Sequence, residues 1–130
     1  MKWELQDKEK RSGIKGNHLQ RYLKSFLNAM SGIIYAIRYE HNFIIILLAI
    51  IVTTILGFTF DVTKIEWCII ILCFGLVFAC ELINSALEAN VDLVTLERKS
   101  LEKIAKDCAS AATLILSIMS LIIGIIIFIK

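Results

Sequence analysis

Glu81, Asn84 and Glu88 place two carboxylates and an amide at the end of a long apolar run, and the spacing of three and four continues through Ser85 and Asp92. At about 100° per residue these five side chains fall in one narrow stripe of a helix. Leu82, Ile83, Ala86, Leu87, Leu93 and Val94 occupy the other side. A polar stripe that continues from a membrane-length apolar segment is costly, and ionisable groups at such depth are functional by default. Acidic residues at this spacing on a bilayer edge can hold a metal ion and take a proton.

The rest of the chain narrows that chemistry. There is no G-x-x-x-x-G-K-[ST] phosphate loop, no G-x-G-x-x-G and no H-E-x-x-H. His18 and His41 stand alone, and no Ser/His/Asp set can be assembled. What remains is Glu40, Glu81, Glu88, Asp92 and Asp107, with basic Arg21 and Lys106. Oxygen ligands suit magnesium, which is usually bound by one or two carboxylates plus substrate phosphates. Phosphoryl transfer asks a protein for positioning, charge neutralisation and a base for the attacking hydroxyl. The same carboxylates could instead pair with lysines to hold a bundle together, or line a proton or ion path. On the residues alone, an enzyme and an ion-conducting or scaffolding bundle are both open readings.

The elements that must position these residues are helices in a membrane. The 130 residues form one domain, 58% of them apolar and none proline; soluble proteins are usually about 45–50% apolar. A net charge of +2 is too small to argue for nucleic acid. Apolar runs at 43–60, 65–80 and 109–129 read as spans, against a requirement of roughly 20 residues. The second is short unless its helix continues into Glu81–Leu87, which puts the polar stripe at the membrane rim. Lys2, Lys8, Lys10, Arg11, Lys15, Arg21, Lys24 and Arg38 precede the first span, and Arg98, Lys99, Lys103 and Lys106 lie between the second and third. Only Lys64 and Lys130 fall on the other side. The positive-inside rule therefore puts the N-terminus and the stripe in the cytoplasm. The first apolar run begins too far behind the charged head to read as a cleavable signal peptide.

Residues 1–18 read as a polar lead. Over 19–40, Leu23, Phe26, Leu27, Met30, Ile33, Ile34 and Ile37 recur at offsets of three and four, one apolar face of an amphipathic helix lying on the membrane. Cys68, Cys73, Cys80 and Cys108 lack C-x-x-C spacing and read as small apolar residues of a bundle. Ser100 is a candidate N-cap for a further helix, with Glu102 in its first turn. The small run Ala109, Ser110, Ala111, Ala112 and Thr113 predicts close helix or subunit contact. The fold class is all-α, with three spans and a surface helix.

Glu81-Leu-Ile-Asn84-Ser85-Ala-Leu-Glu88-Ala-Asn-Val-Asp92, followed by Ala105-Lys106-Asp107-Cys-Ala-Ser110-Ala-Ala, closely resembles the signature of the prokaryotic diacylglycerol kinase family. That signature is E-x-x-N-[ST]-A-[IL]-E-x-x-V-D and, after a short loop, A-K-D-x-[AG]-[SA]-A-A. The resemblance extends over nearly the whole chain, and the runs around Asp92 and Lys106 look most like the Gram-positive branch, whose preferred lipid is undecaprenol. It implies a bacterial cell-membrane kinase that phosphorylates a lipid alcohol, undecaprenol or diacylglycerol, with ATP and Mg2+, as a homotrimer with sites shared between subunits. It implies Glu81 as the base for the lipid hydroxyl and Glu40 and Glu88 as metal ligands. Arg21, Lys106 and Asp107 would contact the nucleotide beside Glu40 and Glu88, and Glu97, Arg98 and Lys99 would lie over it. Asn84 and Asp92 would orient the site, and Ser110 would lie near the lipid head. Ala109 departs from the glycine of some relatives. Glu81 and Glu88 are two turns apart, about 10 Å along the axis, so one can meet a lipid hydroxyl at the rim while the other meets phosphates in water.

Overall fold

A computed structural model of the chain describes residues 18–94 and 100–129. Four helices account for nearly all of them: α1 (His18–Tyr39), α2 (His41–Thr59), α3 (Lys64–Val94) and α4 (Ser100–Phe128). The chain divides into two units, Met1–Ile34 and Tyr35–Lys130. In the first, the described residues are helical, and Leu23, Phe26, Leu27 and Ile34 stay exposed along one face. This is the amphipathic helix that the spacing predicts.

The second unit is built around α3. The backbones of α2 and α4 pack against α3 and, among the described residues, not against each other. Each of these three helices is long and apolar enough to cross a membrane. With 19 residues, α2 is about 28 Å long and matches a hydrocarbon core of about 30 Å. The 31 residues of α3 make about 46 Å, and the 29 of α4 about 43 Å. The helix of the short second span therefore continues without a break through the polar stripe, as its shortness requires. The excess length of α3 must emerge at the end away from the α2–α3 turn. Lipid satisfies no polar group, and two hydroxyls inside the spans bond their own helices. Thr54 Oγ1 donates to the Ile50 carbonyl at 2.7 Å and Ser117 Oγ to the Thr113 carbonyl at 2.9 Å.

The packed core sits at the turn end. Val62, Ile70 and Ile127 are buried there, with Trp67, Phe74, Ile123 and Phe128 against them. Gly57 is what lets α2 approach: a Cβ at this position would lie 2.6 Å from two atoms of the Trp67 indole. The turn is closed by its own backbone. Val62 N–H donates to the Gly57 carbonyl at 3.1 Å, and Asp61 adopts φ 52°. That is the left-handed position of a helix C-terminal cap, which Asp tolerates better than most residues. Thr63 and Glu66 then start α3 as a capping box. Glu66 Oε2 accepts from the Thr63 N–H at 2.8 Å and from Thr63 Oγ1 at 2.7 Å.

Farther along, α3 and α4 are joined by Thr113 Oγ1, which donates to Cys80 Sγ at 3.6 Å. The four cysteines are free thiols, Cys73 and Cys80 half-buried and Cys68 and Cys108 exposed. Of the small run in α4, Ala109 and Thr113 are half-buried while Ala111 and Ala112 remain exposed, so only one face of it packs within the chain.

Candidate active site

The polar stripe forms on α3 as its spacing predicts, and its exposure rises in order along the helix. Glu81 is 2% exposed, Asn84 7%, Glu88 is half-buried and Asp92 exposed. The residue nearest the membrane interior is thus the most enclosed.

Glu81 is held from α2. Asn42 Nδ2 donates to Glu81 Oε1 at 2.6 Å. The start of α2 is fixed by Phe43, fully buried and edge-on to Phe78 of α3 with ring centroids 4.9 Å apart at 86°. Phe78 lies one turn before Glu81, so this aromatic contact anchors the same stretch of α3 that carries the carboxylate. On the next turn, Asn84 Nδ2 donates to Glu88 Oε1 at 3.2 Å. An ionised carboxylate only accepts, so this bond fixes which way the amide faces. Asn84 Oδ1 is left buried without a partner among the described residues. An unmade hydrogen bond of this kind costs about 1–3 kcal/mol.

Glu81, Asn84, Asn42 and Ser110 line a cavity of about 280 Å³ between α2, α3 and α4. Ile45, Ile46 and Ser117 are shared between that cavity and a larger apolar groove of about 510 Å³, which continues between the same helices toward the turn end. The buried carboxylate therefore stands at the polar end of an apolar channel.

Above it, α3 and α4 are clasped. Lys106 Nζ lies 2.5 Å from Asp92 Oδ1 and 3.2 Å from Glu102 Oε1. Lys106 precedes the apolar run of α4. The hydrogen bond to Asp92, and then that to Glu102, holds its ammonium above the ordinary lysine range, so it remains a cation at neutral pH.

The remaining candidates are placed as follows. Glu40 is the N-cap of α2, with extended φ −102° and ψ 117° and no side-chain capping bond. It is half-buried, and no hydrogen bond or ion pair among the described residues joins it to Glu81, Asn84 or Glu88. Asp107 is exposed on α4. Arg21 is an exposed side chain of the first unit. Glu97, Arg98 and Lys99 lie outside the described residues. Among the described residues no three His, Cys, Asp or Glu side chains gather at metal-binding distance. Spacing did not single out Asn42. Its signal is nonetheless in the sequence: Asn42, Ile45, Ile46, Ala49, Thr53 and Leu56 recur at helical offsets and together line one side of the cavity and groove.

The three long apolar helices thus bring a buried carboxylate to the place where an apolar groove meets polar side chains. The family model for prokaryotic diacylglycerol kinase matches residues 27–128. The chain is 42% identical over 112 residues to the undecaprenol kinase of Bacillus subtilis (strain 168), covering 86% of this chain and 91% of that protein. It is 41% identical over 97 residues to a diacylglycerol kinase of Pseudomonas aeruginosa, covering 72% of this chain and 79% of that one. A diacylglycerol kinase of Synechocystis is 36% identical over 103 residues, which cover 78% of this chain and 59% of that protein. The chain belongs to the prokaryotic diacylglycerol kinase family and is a membrane lipid kinase. That membership decides for an enzyme over the conducting or scaffolding bundle that the residues alone left open.

Proposed function

We propose that this protein transfers the γ-phosphoryl group of ATP to undecaprenol at the cytoplasmic face of the membrane. The observation that carries the reading is Glu81, buried at the polar end of the apolar groove, with Asn84 and Glu88 on the following turns. In this scheme the lipid hydroxyl loses its proton to Glu81. Its oxygen bonds the γ-phosphorus as the bond from that phosphorus to the β,γ-bridging oxygen breaks, and ADP leaves. Ser110, across the cavity on α4, faces the lipid head.

The donor set fits magnesium in a particular way. Glu40 and Glu88 would offer carboxylate oxygens, and Glu40 makes no side-chain capping bond. A hard cation of this kind is usually held by one or two carboxylates together with substrate phosphates. When bound, the cation would neutralise phosphate charge. Lys106 and Asp107 on α4 would contact the nucleotide, joined by Arg21 and by Glu97, Arg98 and Lys99. Asp92 would orient the site through its contact with Lys106. A homotrimer would let residues of one copy complete the site of another. Support for undecaprenol over diacylglycerol comes from the identity to the Bacillus subtilis protein over 91% of its length. The basic residues before the first span and between the second and third favour the cytoplasmic orientation.

The test is side-by-side phosphorylation of undecaprenol and diacylglycerol by the purified protein in one detergent system with ATP and magnesium, for the native chain and Glu81→Gln. The expected outcome is faster turnover of undecaprenol and loss of about 10²–10⁴-fold in the variant. Preference for diacylglycerol would correct the substrate. Undiminished turnover by Glu81→Gln would remove Glu81 as the base.

A further inference from the structure

We propose that Asn42 is a positioning residue for phosphoryl transfer, fixing the Glu81 carboxylate so that one oxygen is held and the other faces the lipid hydroxyl. The inference rests on the reading of Glu81 as the base.

The argument begins with the backbone. Glu40 adopts extended dihedrals, and α2 starts at His41, so Asn42 lies in the first turn of the helix. Phe43 beside it is fully buried against Phe78, which pins that first turn to α3 one turn below Glu81. The Asn42 amide is thereby aimed at a fixed point on the neighbouring helix. Its Nδ2 donates to Glu81 Oε1 at 2.6 Å, across 39 residues of sequence.

A glutamate has three side-chain torsions, and a base must present its oxygen within hydrogen-bond reach of the proton it takes. Among the described residues, the bond from Asn42 is the side-chain hydrogen bond that holds the Glu81 carboxylate. It occupies Oε1 and leaves Oε2 for substrate. Asn42, Glu81, Asn84 and Ser110 line the same cavity, so the oriented oxygen opens onto the space where a lipid head would sit. An amide suits this role. It donates without carrying a charge, and it cannot compete with the base for the proton. A lysine here would neutralise the base and an aspartate would repel it.

The test compares Asn42→Ala, Asn42→Leu and Asn42→Gln in the full chain, with the lipid alcohol, ATP and magnesium in detergent. Asn42→Leu keeps the approximate shape and removes the donor; Asn42→Gln keeps a donor on a longer arm. Asn42→Ala is expected to lower kcat by about 10- to 100-fold, the scale of a misplaced catalytic group, with KM for ATP unchanged within about twofold. Asn42→Leu should fall at least as far, and Asn42→Gln should recover part of the loss. In a Glu81→Gln background, Asn42→Ala should have no further effect. Thermal midpoint and oligomer profile in detergent identify any variant that fails to fold, and the near-isosteric Asn42→Leu carries the test if Asn42→Ala does not fold.

The role is overturned if Asn42→Leu turns over like the native chain, or if KM for ATP rises in step with the loss of kcat. If Glu81→Gln is inactive while both donor-removing variants stay active, the positioning role alone falls. If Glu81→Gln keeps its activity, the base assignment falls and the role of Asn42 falls with it.

Discussion

The two ends of the α2–α3 hairpin treat their polar groups in opposite ways. At the turn, the Val62 N–H meets the Gly57 carbonyl, Asp61 takes the left-handed cap position, and Glu66 is engaged by Thr63 through both backbone and hydroxyl. At the other end, among the described residues, Glu40 stands at an N-cap without a side-chain capping bond, Asn84 keeps a buried oxygen without a partner, and Glu81 is held by a hydrogen bond from Asn42. The same helix thus carries one glutamate used by the fold and another that the fold alone does not account for. The incomplete end is where an outside partner is expected.

The largest predicted effect sets these two glutamates against each other. Glu81→Gln should lose about 10²–10⁴-fold in lipid phosphorylation, whereas Glu66→Gln should stay within about twofold of the native rate. The Glu66 substitution keeps an amide oxygen able to accept from Thr63, so the box survives it. Initial rates at saturating ATP for the two variants are the measurement. Equal losses would mean that the two ends are not distinct in function.

The division between the ends also explains what the sequence makes legible. Spans, the amphipathic face and the polar stripe are one-dimensional patterns. A run of apolar residues or a repeat of three and four marks them, and helix geometry does the rest. The Thr63-x-x-Glu66 spacing is equally local. The second span's continuation through Glu81 to Val94 follows from the length that a crossing helix needs. Contacts between helices are another matter. Asn42 reaches Glu81 across 39 residues, and Lys106 reaches Asp92 across 14. No period links such pairs, because their meeting depends on how α2 and α4 are rotated against α3. The resemblance to the kinase family proposed Lys106 and Asp92 for their roles, yet it did not foretell that they bond to each other. Asn42 carried no motif weight at all: one amide at the mouth of an apolar run reads as flanking sequence until its partner is seen.

A second prediction acts on the packed end alone. Gly57→Ala would put a methyl 2.6 Å from the Trp67 indole, whose ring is itself tilted against Phe58 with centroids 5.2 Å apart. Trp67 cannot turn away without leaving the cluster around Val62, Ile70 and Ile127. Overpacking of this kind costs about 1–3 kcal/mol. The expected result is a lower thermal midpoint in detergent, with kcat per folded protein unchanged. A fall in kcat at full folding would show that the packing at the turn reaches Glu81 through the length of α3.

The smallest effect is the sharpest probe of the same boundary. Thr63→Ala removes the hydroxyl that donates to Glu66 Oε2 at 2.7 Å and accepts from the Glu66 N–H at 3.4 Å. Loss of such a cap typically costs ~1 kcal/mol. The long 3.4 Å arm puts this one at the lower end, while the Thr63 backbone N–H can still donate to Glu66 at 2.8 Å. Thr63→Ser keeps the hydroxyl and should match the native protein. Thermal midpoints of the three proteins should order as native equal to Ser, and both above Ala. Their turnover numbers should be the same, because α3 runs about 27 Å from Thr63 to Glu81 and the site draws its other walls from the first turn of α2 and from α4. A loss of turnover in Thr63→Ala that Thr63→Ser restores would mean that the start of α3 sets the rotation of the whole helix. The capping box would then belong to the machinery that aims Glu81, and the two ends of the hairpin would be one device.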